Sequence, residues 1–154
     1  MADLKESDFF YGAVISTLLN NKICPALIEG GKDRQVYDFT TNEKDFRLFV
    51  KYRSAPNTEN NDYSSWQFNF SKNDIEELQQ YIKLNKELSV GLICGKSLLS
   101  KCQYAVLHKD EINVIFGKGK SSVTVSLKSR EHNFRISIGG GRGNALQVPR
   151  KRLY

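Results

Sequence analysis

Histidine, cysteine and proline are scarce in this chain of 154 residues, which contains two, three and three of them respectively. His108 and His132 are the only histidines, so the sequence offers few residues for a catalytic mechanism based on histidine. Cys24, Cys94 and Cys102 are odd in number and form no CxxC or Cys/His cluster. This pattern argues against a zinc site or a disulfide framework and predicts reduced thiols.

Long apolar runs are also missing, and no stretch approaches the length of a membrane span. The residues MADLKES at the start lack the basic-then-apolar pattern of a signal peptide. We therefore expect a cytoplasmic protein with no membrane partner. The sequence contains no GxSxG and no GxxxxGK[ST], so it offers neither a serine-hydrolase elbow nor a phosphate-binding loop.

Hydrophobic periodicity predicts one α/β (α+β) domain with a mixed, largely antiparallel sheet and two main flanking helices. The helices are predicted over residues 3–20 and 71–84, and a nearly continuous apolar strand over residues 88–94. Trp66, Phe68 and Phe70 alternate with polar residues, which predicts a packed strand face; a base-stacking platform is the alternative. We expect residues 1–140 to form the domain, ending in a β-hairpin, and residues 141–154 to form a flexible basic tail.

Positive charge is concentrated in the last quarter of the chain. From residue 117 to residue 154 there are nine lysines and arginines but one carboxylate, Glu131, so this segment carries +8. The whole chain carries +6, and residues 1–116 therefore carry −2. A basic block of this kind favours an anionic partner.

We expect that partner to be nucleic acid, bound with weak sequence selectivity, or else an acidic protein. In the second case the chain would be a protein-interaction subunit of a larger assembly. The alternative without a binding function is a solvated basic hairpin and tail. The candidate nucleic-acid-binding residues are Lys118, Lys120, Lys128, Arg130, Arg135, Arg142, Arg150, Lys151 and Arg152.

A second candidate site lies in the predicted hairpin of residues 35–52. A turn centred near residues 42–44 would place Asp38 opposite Phe49, with Lys51 two positions farther on the same face. A carboxylate beside a lysine on adjacent strands can support phosphodiester cleavage, because the carboxylate holds a divalent metal and the lysine stabilises the charged transition state. The alternative is a cross-strand ion pair on a solvated sheet face.

The order of a helix, antiparallel strands, and a helix leading to a buried strand resembles the core of the restriction-endonuclease-like, PD-(D/E)xK, nucleases. This resemblance implies that Glu6, Asp38 and Lys51 occupy three of the four motif positions, with Asp38 as a metal ligand. The chain departs from the motif at Phe49, where a carboxylate is expected, and at Tyr37, where a proline is expected. Phenylalanine offers no oxygen to Mg²⁺, which prefers hard oxygen ligands.

The segments VKYRS, WQFNF and LICGK also resemble those of small uncharacterised bacterial proteins, which implies no chemistry. The sequence thus favours a nuclease-like but inactive core without a cofactor, which binds nucleic acid through its basic C-terminal hairpin and tail. The alternative is an active nuclease that uses Asp38 and Lys51 with Mg²⁺ as cofactor.

Overall fold

Two five-stranded sheets and three helices make up the part of the protein that the computed structural model describes, residues 3–154. The helices are α1 (Glu6–Asn20), α2 (Lys72–Ile82) and α3 (Lys109–Gly117). The strands are β1 (Ala26–Glu29), β2 (Gln35–Thr40), β3 (Asp45–Arg53), β4 (Thr58–Glu59), β5 (Tyr63–Asn69), β6 (Glu87–Cys94), β7 (Gln103–His108), β8 (Ser122–Lys128), β9 (Asn133–Ile136) and β10 (Leu146–Pro149).

Local sequence accounts for helices α2 and α3. Helix α2 begins after Ser71, whose hydroxyl accepts the amide of Asp74 at 3.0 Å, while the Asp74 carboxylate accepts the amide of Ser71 at 2.9 Å. This reciprocal cap satisfies two donors that the first helical turn would otherwise leave unpaired. Helix α3 buries Ile112 and Ile115, which lie three residues apart on its inward face. The helices predicted over residues 3–20 and 71–84 are confirmed as α1 and α2.

The strands form a first sheet in the order β1-β2-β3-β6-β7 and a second sheet in the order β10-β9-β8-β5-β4. Within residues 3–154 the pairing is antiparallel except between β3 and β6. The predicted α+β class and single domain are confirmed. The prediction of one sheet is wrong, because β5 pairs with β8 and so starts a second layer instead of joining β3.

The main core fills the space between the two sheets. Trp66 and Phe68 from β5 and Leu92 from β6 are almost completely buried there, as the alternating pattern predicts. A base-stacking role for this strand face is therefore excluded. A second core lies on the opposite face of the first sheet, where Phe10 and Leu18 of α1 pack against its strands.

The register of β2 and β3 differs from the prediction. Asp38 pairs with Arg47, and Phe49 pairs with Val36. The hairpin loop spans residues 41–44, and it is closed by a hydrogen bond of 2.9 Å from the Thr41 amide to the Lys44 carbonyl. Because the turn is centred earlier than expected, Asp38 is displaced by two positions relative to β3.

The C-terminal segment does not form the predicted flexible tail. Strand β10 pairs along its length with β9, and Val148 is completely buried in the main core. Tyr154 packs edge-on against Phe39 and Phe46, with ring centroids 5.1 and 4.8 Å away. Apolar anchors on both sides of the basic residues therefore hold the end of the described chain against the domain.

Candidate functional site

Asp38 lies in an ion-pair cluster on β2. Its two carboxylate oxygens accept hydrogen bonds from Nε and Nη2 of Arg47 at 2.7 and 2.8 Å, and Lys86 adds a further contact. Hydrogen bonding to Arg47, aided by Lys86, holds the pKa of Asp38 below its usual value despite partial burial. The bidentate geometry is that of a structural carboxylate–guanidinium pair.

Lys51 lies four positions beyond Arg47 along β3, which is about 13 Å at roughly 3.3 Å per residue. Its ammonium is 3.2 Å from the Asp74 carboxylate and 5.3 Å from the centroid of the Phe70 ring. Lys51 thus pairs with a carboxylate from α2 and does not meet Asp38. The predicted convergence of Asp38 and Lys51 is wrong.

An open cleft of about 730 Å³, which we call the Lys51 cleft, lies between the start of α1, the end of β3 and the start of α2. The structure brings Glu6 and Lys51 together in its wall, but Asp38 is not part of it. Burial of Asp74 beside this cleft raises its pKa, yet the Ser71 amide and the charge of Lys51 outweigh that effect, so its pKa lies below the usual value. The charged residues in the wall are Glu6, Lys32, Asp33, Arg34, Lys51, Arg53 and Asp74.

These residues do not fit a magnesium site of the kind that the nuclease resemblance implies. The Asp38 carboxylate is held by Arg47 and Lys86, and Phe49 supplies no oxygen ligand. Among residues 3–154 no group of three or more histidine, cysteine, aspartate or glutamate side chains is placed to hold a metal ion.

The C-terminal arginines are largely engaged within the molecule. Glu131 accepts hydrogen bonds from Arg142 Nη1 and Arg135 Nε, each at 3.1 Å, and its backbone carbonyl accepts one from Arg150 at 2.9 Å. Hydrogen bonding to Arg142 is the main reason that the pKa of Glu131 falls to about 2. Arg152 is 2.6 Å from Glu111. Arg135, Arg142 and Arg152 therefore contribute less to an external electrostatic surface than their number suggests.

The remaining cations of the predicted set occupy separate places. Lys118 and Lys120 precede β8, whereas Lys128 lies at its other end, about 20 Å from the first residue of the strand at roughly 3.4 Å per residue. Arg130 is exposed in the turn after β8, and Lys151 borders a shallow pocket beside the end of α1. The structure thus does not bring these nine residues onto one surface.

Lys128 and Arg150 do line one cleft, together with Lys96 and Lys101, and we call it the basic cleft. It has a volume of about 160 Å³ and lies between the β4–β5 turn, the β6–β7 connection and the β8–β9 turn. Asp62 is the one carboxylate among its lining residues. Its wall also carries the polar or aromatic side chains of Asn60, Asn61, Tyr63 and Gln103.

Three of the four cations in the basic cleft have no carboxylate partner. Among residues 3–154, no carboxylate lies within 4.0 Å of the charged groups of Lys101, Lys128 or Arg150. Lys96 differs, because its ammonium lies 2.9 Å from Glu59 and 2.8 Å from the Ser64 hydroxyl. The cleft therefore has a net positive charge that an anionic ligand can neutralise.

Lys96 and Lys101 were not among the predicted binding residues. They lie outside the basic C-terminal block, in the connection that follows the buried strand β6. Two lysines within the six residues 96–101 were a weak local signal. Their proximity to Lys128 and Arg150 depends on long-range strand pairing, which the sequence did not specify.

Comparisons of the chain with models of protein families, with characterised proteins and with solved structures found no significant match. No helix within residues 3–154 is both long and apolar enough to cross a membrane.

Proposed function

We propose that this protein binds nucleic acid through the basic cleft. The observation that carries the proposal is the convergence of Lys101, Lys128 and Arg150 on one cleft without carboxylate partners. Cations without a carboxylate partner in a concave surface attract a polyanion, and each phosphate contact releases condensed counterions.

The neighbouring side chains also suit this ligand. Asn60 and Asn61 line the same cleft and can donate to or accept from phosphate, sugar and base atoms, whereas the Gln103 side-chain oxygen accepts a hydrogen bond from Arg150 at 3.0 Å. Lys101 lies in the β6–β7 connection, Lys128 ends β8 and Arg150 follows β10, so the three cations can follow a backbone but do not lie on one helix or strand that could enter a groove for base recognition. Binding is therefore expected to be weakly sequence-selective.

We further propose that the core is an inactive relative of the restriction-endonuclease-like fold. This proposal is supported by the order of α1, the antiparallel strands β1 to β3, α2 and β6, with β6 parallel to β3; β4 and β5, which belong to the second sheet, are inserted between β3 and α2. Catalysis is not part of the proposal, because Asp38 and Lys51 belong to separate ion-pair clusters.

The test is a salt titration of binding, followed by the fluorescence anisotropy of a short labelled DNA duplex. With three or four phosphate contacts, the plot of log K against log[salt] should have a slope of about −3 to −4, at roughly 0.9 per contact. The double substitution Lys101→Gln/Lys128→Gln removes two contacts, so it should flatten the slope by about 2 and weaken binding at low salt.

The matched control is Lys22→Gln/Lys83→Gln, which removes the same net charge from two exposed lysines outside the basic cleft. It should retain the wild-type slope. An equal loss in both double variants would show that only overall charge matters and would contradict the cleft assignment. Absence of binding by the wild type at about 50 mM salt would contradict the proposed function itself.

A further inference from the structure

A short loop beside the basic cleft exposes two adjacent leucines. Leu98 and Leu99 are 60% and 66% exposed, although large apolar side chains are usually covered. They lie between Lys96 and Lys101, both of which line the basic cleft. We call residues 96–102 the leucine loop.

The leucine loop has a defined conformation. The Lys101 amide donates to the Leu98 carbonyl at 2.9 Å, and the Cys102 amide donates to the Leu99 carbonyl at 3.1 Å. At the base of the loop, the Lys96 amide donates to Cys102 Sγ at 3.2 Å. The leucines therefore lie in a closed turn. Because this turn is already ordered in the free protein, little conformational entropy of the backbone is lost when a ligand binds.

The base of the loop is attached to the main core. The indole Nε1 of Trp66 donates to the Gly95 carbonyl at 2.8 Å, and the Gly95 amide donates to the Arg53 carbonyl at 2.7 Å. A side chain at position 95 would meet backbone atoms at 2.4 Å, so only glycine allows this close approach. Contacts with both sheets thus fix the position of the leucine loop.

We infer that Leu98 and Leu99 act as a wedge that inserts between unstacked bases of the nucleic acid held in the basic cleft. This inference rests on the proposed function and specifies its ligand: a strand with unpaired bases, such as a bulged duplex, in preference to a continuous duplex. Apolar side chains that enter a base step must separate its bases, which costs least where the bases are already unpaired.

Charge and shape favour this ligand over a lipid surface. The leucines are flanked by cations of a concave cleft whose wall also carries the amide side chains of Asn60, Asn61 and Gln103. Such a cleft suits a chain of phosphates whose sugar and base atoms can hydrogen-bond to these amides, whereas a bilayer surface offers neither sugar nor base.

The experiment compares a continuous duplex with the same duplex carrying a two-base bulge that contains 2-aminopurine. The wild type should bind the bulged duplex about tenfold more tightly, and 2-aminopurine fluorescence should rise as stacking is lost. The variant Leu98→Ser/Leu99→Ser should lose this preference and the fluorescence rise. It should keep the affinity for the continuous duplex and the salt slope, because its cations are unchanged.

The matched control is Leu19→Ser/Leu27→Ser, which alters two leucines of similar exposure, 53% and 59%, away from the basic cleft. It should behave as the wild type. If the Leu98→Ser/Leu99→Ser variant retains the preference for the bulge, the wedge is refuted while the proposed function stands. If no form of the protein binds either duplex, the proposed function fails first.

Two further measurements would overturn the wedge directly. One is a result in which the wild type binds phosphatidylcholine/phosphatidylserine vesicles and the Leu98→Ser/Leu99→Ser variant does not, while both bind nucleic acid equally well. The other is a dimer in sedimentation that the same substitutions convert to a monomer, since the leucines would then contact a second copy of the chain.

Discussion

The buried carboxylate of Asp74 at the start of α2 forms ion pairs with Lys51 of the first sheet and with Arg34, and their contribution to stability can be measured. Asp74 pairs with Arg34 and Lys51, and the three side chains are only 8%, 13% and 12% exposed. Breaking a buried pair from one side costs about 3–5 kcal/mol, because a charge is left uncompensated. Arg34 keeps its contacts with Glu29 and Glu77, whereas Lys51 loses its carboxylate.

We therefore expect Asp74→Asn to lower the free energy of unfolding at pH 7 by about 3 kcal/mol, the lower end of that range. For a chain of this size the melting temperature should fall by about 6–12 °C. Urea unfolding followed by tryptophan fluorescence measures the first quantity, and calorimetry measures the second. The asparagine can still accept the Ser71 amide, so the helix cap is kept and the loss reports on charge.

The loss of stability in Asp74→Asn should also depend on pH. The pKa of Asp74 in the folded protein lies below its usual value of 3.8, so its stabilising contribution is complete above that pH and is lost as the pH falls below it. The difference between wild type and Asp74→Asn should accordingly narrow below about pH 4. Glu76→Gln, an exposed change of the same charge on α2, is the control. A difference under about 0.5 kcal/mol at pH 7 would refute the reasoning, since that is the size of an ordinary surface effect. A difference that does not depend on pH would also refute it.

Two other outcomes are expected from the ion pairs. Glu131→Gln should cost about 1–3 kcal/mol of unfolding free energy at pH 7, because Glu131 accepts charge-assisted bonds from Arg135 and Arg142. The effect should fade between pH 4.5, the usual pKa, and about pH 2, the pKa in the folded state; a constant cost in urea titrations across that range would contradict it. With Mg²⁺ or Mn²⁺ present, neither the wild type nor Lys51→Ala should cleave DNA or RNA, because Lys51 is paired with Asp74 and not with Asp38. Gel electrophoresis that shows cleavage by the wild type and not by the variant would restore the nuclease interpretation.

Elements with a strong local pattern could be predicted from the sequence. Helix α2 has both its cap at Ser71 and its buried Leu78 encoded within a few residues. Strand β6 is covered on both faces, and its apolar run predicts that position without knowledge of its neighbours. In these cases the physical cause of the structure lies within the segment itself.

Features that depend on pairing between distant segments could not be predicted. A shift of one residue in the centre of the turn moves the β2–β3 register by two residues and separates Asp38 from Lys51, although both remain on the same sheet face. Strand β10 has only Leu146 and Val148 as apolar residues and ends in Pro149, so it resembles a polar tail until its partner β9 is known. The basic cleft likewise exists only because three strand connections meet.

The parallel pairing of β3 with β6 has a consequence for how the chain acquires its structure. The segment that joins them, residues 54–86, contributes β4 and β5 to the second sheet before the chain returns to complete the first. The chain then leaves again to finish the second sheet with β8, β9 and β10. Neither sheet is encoded by a continuous stretch of sequence, so no contiguous part of the chain contains a complete folding unit.

During synthesis the hairpin of β2 and β3 emerges before β5 and β8, which later cover the face that carries Val36 and Phe49. Non-local pairing of this kind slows folding, because long loops must close before the contacts that reward them can form. The apolar face of the nascent hairpin is therefore not fully covered until β8 has left the ribosome, and during this interval aggregation competes with folding.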